Sequence, residues 1–437
     1  MNLKKTICLL FFPVFIIANC RAQDTLLTLK DAVEIALKNN YHIQIAKNNS
    51  AVAQNNVTPG NAGMLPSVTG NFSQSNSVQN VNQTTSAGPK TLTNNKTNNL
   101  SLGPNLNWTI FNGFGMFANY DQLKQLNKLS QVMLRDTILV TVSNVMATYY
   151  NLINQYQQLK ALKGAIGISR TQYRYANDKF QVGTASRLDV LNAQVNLNTD
   201  TANYLNQLQL FKSAKVQMNQ LLARDLRSNF TVADTIIVDD KLTLGDILGK
   251  AQNENQIILA AEINKRLSEI NLRQVKASRY PQVGLNGGYS YTNSSNPAGF
   301  ARAQNTNGFT YGVTASINIF NGFNQNRLEQ NAKISIENAE LNRKQAQLNV
   351  EAQINNLYIS YLSGLDLVKL GESNVAIAKR NLEISLDKYK LGNITPLEIR
   401  EAERNYLDAE SKFFAAQYQS KIAEITLKQI TNSIDIQ

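Results

Sequence analysis

Residues 309–323 read FTYGVTASINIFNGF, and this stretch decides the fold. Its first eleven residues alternate strictly between apolar and small or polar side chains, from Phe309 to Ile319. A period of two gives a β-strand one apolar face and one polar face. The last five residues, Ile319–Phe323, contain a glycine and lead into a segment rich in helix formers, so they predict a strand-to-helix corner.

The chain contains the same plan twice. Blocks recur in one order at separations of 209 or 215 residues, and the change of separation falls in a polar segment of the first copy. The matching blocks are Ile110–Phe114 with Ile319–Phe323, Lys179–Gly183 with Lys388–Gly392, and Leu27–Asp31 with Leu242–Asp246. This repetition predicts an internal duplication. Repeat 1 covers residues 23–222, a linker covers 223–242, and repeat 2 covers 243–437.

Four alternating segments are predicted to be strands, at about 66–74, 100–111, 281–292 and 309–320. Their length is close to the roughly 9–11 residues that a tilted membrane strand requires. A soluble β-sandwich gives the same alternation, but the small, uncharged polar face and the long polar loops 74–99 and 292–308 favour a membrane barrel. Five aromatic residues are placed to form an interfacial girdle: Trp108, Tyr289, Tyr291, Phe309 and Tyr311.

The strand number and the helix lengths predict an assembly. Four strands cannot close a barrel, for which about eight are the minimum. Three copies supply twelve strands and leave an open lumen, so we expect a homotrimer in contact with outer-membrane lipid. Helices at 117–181 and 325–390, each with a return helix, would span on the order of 100 Å. The expected fold is therefore an α+β membrane protein, a trimeric 12-stranded β-barrel continued by a coiled-coil, α-helical periplasmic tube.

The N-terminus predicts export. Residues 1–22 have the form of a signal peptide, with Lys4 and Lys5 before an apolar stretch and small residues at the end. The alternative is lipidation at Cys20, which the preceding Asn19 disfavours.

The composition excludes several classes of protein. The chain of 437 residues has 43 Lys and Arg against 31 Asp and Glu, for a net charge of +12. Its basic residues are scattered among acids, which argues against a nucleic-acid partner. The lone His42 excludes a multi-His metal site, and both Cys residues lie in the first twenty residues. With no phosphate-binding loop and no nucleophile beside a base, we expect no cofactor, no metal and no enzymatic activity.

Together these features resemble the TolC family of outer-membrane efflux proteins over essentially the whole mature chain. The resemblance rests on the doubled layout, the two Ile-Phe-Asn-Gly-Phe corners, and the blocks Leu65–Pro66, Tyr280–Pro281, Val182–Ala193 and Leu391–Ile399. It implies a channel of the outer membrane that extends into the periplasm and passively conducts small molecules outward. It also implies docking to a periplasmic adaptor (membrane fusion) protein and, through it, to an inner-membrane transporter.

Two glycine turns join the long helices to their return helices and therefore lie at the far tips of the tube. Gly183 and Gly392 are expected to end the long helices in a left-handed conformation. The resemblance implies that the turn residues contact the adaptor; these are Val182, Gly183, Thr184, Leu391, Gly392 and Asn393.

Three acids near the tips are candidate gate residues: Asp189, Glu398 and Glu401. Repeated threefold at a narrowed entrance, acidic side chains form rings that favour cations. The alternative for the first two is local, because Ser186 and Thr395 have the spacing of capping boxes with them.

The resemblance also implies that Arg187 and Tyr389 latch the closed tip by bonding acids on neighbouring helices. Ile394 is apolar where some relatives have a basic latch residue, so the sequence leaves the chemistry of the gate open.

Two other functions remain open on the sequence alone. One is the exit duct of a type I protein secretion system, and the other is an exported coiled-coil scaffold without a barrel. The sequence does not identify the cargo.

Overall fold

The computed structural model describes residues 25–86, 88–299 and 301–434. The predicted signal peptide at 1–22 and Cys20 lie outside the described residues.

The elements form two sets in the same order. The first set is β1 Thr25–Leu26, α1 Leu29–Asn39, α2 Tyr41–Asn55, β2 Ser67–Thr85, β3 Gly88–Asn112, α3 Gly115–Gln181 and α4 Arg187–Leu221. The second set is β4 Phe230–Thr231, α5 Leu244–Glu254, α6 Gln256–Ala277, β5 Gln282–Ser295, β6 Ala303–Ser316, α7 Asn324–Lys390 and α8 Pro396–Ile430. Each set is a helix pair, a β-hairpin and a long helical hairpin, which is the duplication predicted from the sequence.

The four long strands form one antiparallel sheet in the order β2-β3-β5-β6. The pairing register brings one apolar or glycine position of each strand into a row: Val68, Leu106, Gly287 and Tyr311. The next row belongs to the other face: Ser67, Asn107, Asn286 and Gly312. The sheet therefore has one mainly apolar face and one polar face, and its two edges, β2 and β6, have no partner strand within the described part of the chain.

The expectation of a long loop at 74–99 is wrong. Residues Gln74–Thr85 pair with Gly88–Leu100 and continue the β2-β3 hairpin, with a register shift between Gln79 and Val81. The second segment, 292–308, is also mostly strand, since Ser295 pairs with Ala303. The sequence analysis ended the strands where the apolar face ended, but a hairpin that leaves the membrane needs only backbone pairing and not an apolar face.

A short motif connects the second strand of each hairpin, β3 or β6, to the long helix that follows it. In the first copy, Asn112 Oδ1 accepts a hydrogen bond from the Met116 N–H (3.0 Å), and Gly113 and Phe114 both have positive φ (67° each). In the second copy, Asn321 Oδ1 accepts from the Gln325 N–H (3.3 Å). The asparagine thus satisfies a free N–H at the start of the helix, where such groups lack a helical partner.

The long helices α3 and α7 contain 67 residues each, which corresponds to roughly 100 Å. They pack lengthwise against α4 and α8 respectively, each 35 residues long. Within the described part of the chain, no helix combines the length and the apolar character that a membrane crossing requires.

The helical segment at the start of each repeat is divided by an asparagine. Asn40 ends α1 and caps α2 by accepting from the His42 N–H (2.9 Å), and its amide donates to the Leu221 carbonyl (2.8 Å). Asn255 does the same between α5 and α6, with its amide donating to the Ile430 carbonyl (3.1 Å). One side chain per repeat thus fixes the bend and ties it to the end of the return helix.

The core lies where these short helices pack on the long ones. The predicted linker 223–242 belongs to this core, because it contains β4, which pairs in parallel with β1, and because Phe230 and Ile236 are buried. Tyr149 donates a hydrogen bond to the Leu27 carbonyl (3.1 Å), and Tyr361 donates to the Asp239 carbonyl. A packed layer of short elements therefore lies against the long helices of the chain.

The glycines of the long helices give a test of how tightly the hairpins pack. A methyl group at Gly364 would collide with Ser420 of α8, whereas nothing lies within 4 Å of the same position at Gly167. We expect Gly364→Ala to lower the melting temperature. We expect Gly167→Ala to raise stability by about 0.5–1 kcal/mol, since glycine in a helix costs about that much relative to alanine. Circular dichroism melts of the two variants in detergent would check this, and equal effects would contradict it.

Candidate functional site

The two turns at the helix tips have the same backbone structure. After α3, Gly183 has φ +78°, its N–H donates to the Phe180 carbonyl (3.0 Å), and Thr184 N–H donates to the Lys179 carbonyl (2.8 Å). After α7, Gly392 has φ +79° and the equivalent bonds run to Tyr389 and Lys388. This is the Schellman arrangement, which needs a left-handed residue and therefore favours glycine.

Two of the candidate gate acids make capping boxes. Ser186 Oγ accepts from the Asp189 N–H (3.2 Å), and the Asp189 carboxylate accepts from the Ser186 N–H (2.9 Å). Thr395 and Glu398 repeat both bonds, at 3.3 and 2.7 Å. These hydrogen bonds lower the pKa of both carboxyls, so both acids are ionised at neutral pH. Glu398 is exposed and Asp189 is partly exposed, so capping leaves both charges accessible to water.

The third acid, Glu401, lies one turn beyond Glu398 on α8. Its carboxylate is 3.8 Å from the Arg404 guanidinium, and both side chains are more than half exposed. An exposed pair at that distance is weak and leaves Glu401 available to other ions.

The two candidate latch residues contact other groups within the described part of one chain. Tyr389 is only 5% exposed, and Lys179 Nζ lies 5.2 Å from its ring centroid. Burial and the nearby charge of Asp189 raise the pKa of this tyrosine. Arg187 lies against the ring of Phe180, 5.7 Å from its centroid. Among the described residues neither side chain bonds an acid, so the expected latch is not formed within a single chain.

Each tip also exposes large apolar side chains. Val182 and Leu188 flank the first turn, Leu391 and Leu397 flank the second, and their exposed fractions lie between 64% and 78%. The two pairs occupy equivalent positions in the repeats. Exposed apolar residues at the ends of rigid helices form a contact surface for a partner. Leu188 and Leu397 were not among the sequence candidates, although the repeat that pairs Val182 with Leu391 also pairs these two.

The sequence analysis missed a buried polar cluster on the hairpins above the tips. Arg400 of α8 donates two hydrogen bonds to the Asp200 carboxylate of α4 (2.7 and 2.9 Å) and one to Glu403 (3.2 Å). Ser169 and Gln172 of α3 complete the cluster; Ser169 donates to Asp200, and Gln172 donates to Glu403 (3.2 Å). Asp200 is 2% exposed and Glu403 is fully buried. This cluster joins the helical hairpin of one repeat to that of the other.

The cluster has two carboxylates for one guanidinium. Arg400 makes its bidentate pair with Asp200, and this pairing raises the pKa of the arginine. Burial, followed by the negative charge of Asp200, raises the pKa of Glu403. Helix α3 contributes only the neutral side chains of Ser169 and Gln172 to the cluster. The net charge of the cluster therefore depends on whether Glu403 is protonated.

At the other end of the molecule, the two faces of the sheet have different chemistry. Phe72, Phe309, Tyr311 and Val313 are largely exposed on the apolar face of the single chain. The opposite face presents Asn, Ser, Thr, Gly and Gln side chains without charge. An apolar band beside lipid and a polar face beside water are the two surfaces that a transmembrane strand needs.

The described residues contain no group of three or more His, Cys, Asp or Glu side chains that could hold a metal ion.

Comparison with known proteins gives one family. The model of the family described as outer membrane efflux protein matches residues 32–224 and 247–433. The outer membrane protein TolC of Vibrio cholerae is 23% identical over 307 residues, which cover 68% of each chain. The cation efflux system protein CusC of Escherichia coli K12 is 23% identical over 341 residues, covering 76% of this chain and 72% of that one.

Solved structures give the same fold. The CmeC outer membrane channel of Campylobacter jejuni superposes with a TM-score of 0.79 at 19% identity, covering 93% of this chain and 85% of that one.

The buried cluster predicts a large loss of stability when Arg400 is removed. Arg400→Leu leaves two carboxylates buried without a counter-charge, which costs about 3–5 kcal/mol for a buried pair. Arg404→Leu, on the same helix but exposed, is the matched control and is expected to change stability by less than about 0.5 kcal/mol. Chemical denaturation followed by tryptophan fluorescence and circular dichroism would compare them. Similar losses for the two variants would contradict a special role of the cluster.

The raised pKa of Glu403 predicts how the stability of the folded protein changes with pH. Because its pKa is higher in the folded than in the unfolded protein, its contribution is fully present at low pH and is lost as pH rises through the folded pKa. Glu403→Gln is therefore expected to gain stability relative to the unmodified chain as the pH rises above the ordinary glutamate pKa of about 4. Melting temperatures of both proteins at a series of pH values would measure the difference; a difference independent of pH would refute the assignment.

Proposed function

Because the chain belongs to the outer membrane efflux protein family, we propose that three copies of it form one passive exit duct for small molecules. The family already establishes the general activity: the chain is an outer-membrane channel of a tripartite efflux system, extends into the periplasm, and is not an enzyme. The trimer, the partners, the gate and the class of cargo are the proposal.

The observation that carries the proposal is the four-stranded sheet with two free edges, continued by helices of about 100 Å. In a bilayer, each unpaired backbone group of an edge costs several kcal/mol, because no water replaces the missing bond. Pairing β2 of one copy with β6 of the next satisfies both edges. Three copies then close a barrel of twelve strands whose polar face lines an open lumen.

The helices support the same assembly. On α7, three apolar residues recur at intervals of seven and remain exposed in the single chain: Leu370, Ile377 and Ile384. A heptad spacing is typical of a coiled-coil seam that needs a second helix. The return helix α4 also exposes apolar side chains, including Val195 and Leu205. We assign these surfaces to the contacts between copies, which makes the twelve long helices a closed tube.

The tip residues support a periplasmic adaptor as the partner. Val182, Leu188, Leu391 and Leu397 stand exposed around the two glycine turns that include Gly183, Thr184, Gly392 and Asn393. The rigid turns hold this surface in a fixed geometry, which limits the entropy lost on docking. We propose that an adaptor protein binds here and links the duct to an inner-membrane transporter.

Asp189, Glu398 and Glu401 are proposed to form acidic rings at the entrance. The capping bonds do not compete with this role, because the capped carboxylates are ionised and at least partly exposed. In a trimer these three residues contribute nine negative charges close to the opening. Arg187 and Tyr389, which find no acid within one chain, are proposed to act as latch residues across the contact between copies.

The assembly is tested by changing the α7 seam. Leu370→Glu combined with Ile377→Glu places two charges in the proposed contact between copies, and we expect the trimer to dissociate while each chain keeps its helices. Native mass spectrometry and circular dichroism in detergent would measure both. Ile237→Glu, at an apolar position that is equally exposed outside the seam, is the control. A seam variant that stays trimeric would place the contact elsewhere.

The entrance is tested by removing charge without removing the cap. Glutamine also serves in a capping box, so Glu398→Gln with Glu401→Gln keeps the helix start and deletes six charges per trimer. We expect the preference for K⁺ over Cl⁻ in planar bilayers to fall several-fold. Glu34→Gln, on α1 away from the entrance, is the control.

The pKa of Glu398 adds a second criterion. Because that pKa lies below the usual value, the cation preference should persist below the pH at which ordinary glutamates titrate. If the double variant has the same selectivity as the unmodified protein, Glu398 and Glu401 have only a structural role.

A further inference from the structure

The internal duplication makes one helix contact within the chain a template for a contact between copies. Within the chain, α4 packs on α3, α3 packs on α8, and α8 packs on α7. The repeat offset of 209 residues relates α3 to α7 and α4 to α8. The counterpart of the α3–α8 contact is therefore a contact between α7 of one copy and α4 of the next. In the proposed trimer, this contact closes a ring of twelve helices.

Exposed apolar side chains lie at the positions that this template predicts. Three residues that line cavities of the α3–α8 contact have apolar counterparts, and the pairs are Ala161 with Leu370, Ile168 with Ile377, and Phe414 with Leu205. The three counterparts are between 57% and 66% exposed in the single chain. What the α3–α8 contact covers within the chain therefore stays uncovered on α7 and α4 until a second copy packs there.

Helix α4 also lacks the charges of an ordinary solvated helix. Residues 190–211 contain one charged residue, Asp200, whereas the equivalent residues 399–420 of α8 contain seven. Asp200 is buried and paired with Arg400, so the exposed part of this segment consists of uncharged side chains. Depletion of charge is typical of the core of a protein–protein interface. The neutral surface of α4 thus fits burial against the next copy.

The two contacts differ in the chemistry that holds them. The cluster residues Ser169, Gln172, Asp200, Arg400 and Glu403 have the counterparts Ala378, Asn381, Ala409, Leu191 and Gln194. Every charged member of the cluster is thus replaced by a neutral side chain at the contact between copies. Directional hydrogen bonds to buried charges fix one arrangement of the helices. Apolar and amide side chains, in contrast, can shift relative to each other without leaving a buried charge unpaired.

We propose that the entrance of the duct opens at the α7–α4 contact between copies, while the buried cluster keeps the four long helices of each chain together as one unit. This inference rests on the proposed trimeric duct. Three such units move apart along contacts that lack the ionic cluster, and Asp200, Arg400 and Glu403 stay paired throughout the movement. The duplicated helices thus form two kinds of contact, one fixed within the chain and one movable between copies.

The pairing of α7 with α4 is tested by a cysteine cross-link in the full-length trimer. We expect Leu205→Cys with Leu370→Cys to give covalently linked copies on oxidation, because the template places these two positions against each other. Ala161→Cys with Phe414→Cys is the matched control and is expected to link only within a chain. Non-reducing gel electrophoresis measures both. A trimeric L205C/L370C variant whose copies stay unlinked would show that the assigned contact is wrong.

The place of the movement is tested by the same truncation in each contact. Ile377→Ala loosens the contact between copies, and Ile168→Ala loosens the equivalent contact within the chain. We expect Ile377→Ala to raise the conductance of single trimers in planar bilayers several-fold. Ile168→Ala is expected to lower the melting temperature and to leave the conductance unchanged. Equal conductance of the two variants would overturn the proposal.

A further variant adds the ionic cluster to the contact between copies. L191R/Q194E/A409D places the three charged groups at their counterpart positions. Combined with Ile377→Ala, these changes are expected to return the conductance towards that of the unmodified trimer and to raise the temperature at which the copies dissociate. Leu191→Arg alone, which lacks both new acids, is the control and should do neither. A conductance that stays raised in the combined variant would contradict the proposal.

Failure of this inference and failure of the proposed duct give different results. Unmodified protein that is monomeric by native mass spectrometry, or that does not conduct, refutes the duct. A conducting trimer in which Ile168→Ala and Ile377→Ala behave alike refutes only the assignment of the opening to the contact between copies.

Discussion

The two free edges of the four-stranded sheet are the constraint on which the rest of the molecule depends. Hydrocarbon offers no substitute for a missing backbone hydrogen bond, so β2 and β6 need partners wherever the sheet lies in lipid. The described part of one chain has only these four long strands and cannot satisfy the edges alone. The duplication supplies two hairpins whose apolar faces agree in register, and the exposed heptad stripe on α7 repeats the same requirement along the helices. The proposed trimer would complete both halves of the protomer.

One repeated motif makes the change from strand to helix through local hydrogen bonds and backbone conformation. In Ile-Phe-Asn-Gly-Phe, the asparagine accepts a hydrogen bond from a free N–H at the start of the following helix, and the glycine and the final phenylalanine take left-handed φ values. Similarly, one asparagine per repeat divides the first helix and ties it to the end of the return helix. These positions orient sheet and tube relative to each other, so the direction of the duct depends on a few polar side chains more than on the long helices themselves.

Near the tips, two kinds of polar contact have different consequences. The capping boxes of Asp189 and Glu398 are local, and they leave the charges accessible to water at the helix tips. The cluster of Asp200, Arg400 and Glu403 is long-range and buried, and it joins the hairpins of the two repeats through charges that have no water to replace a lost partner. Any relative motion of the hairpins at the entrance must therefore either preserve this cluster or break it at considerable cost.

The sequence by itself determined the duplication, the membrane part of the strands, the long helices and the glycine turns, because each follows from a local period or a local backbone requirement. It failed for the outer part of the β2-β3 hairpin, where pairing continues without an apolar face, and for the linker 223–242, whose strand β4 depends on β1. The buried cluster can be recognised only in the tertiary structure. Asp200, Arg400 and Glu403 look in the sequence like ordinary charges of a solvated helix. They form a buried cluster because α3, α4 and α8 pack together. This packing brings together residues about 200 positions apart and excludes water from between them.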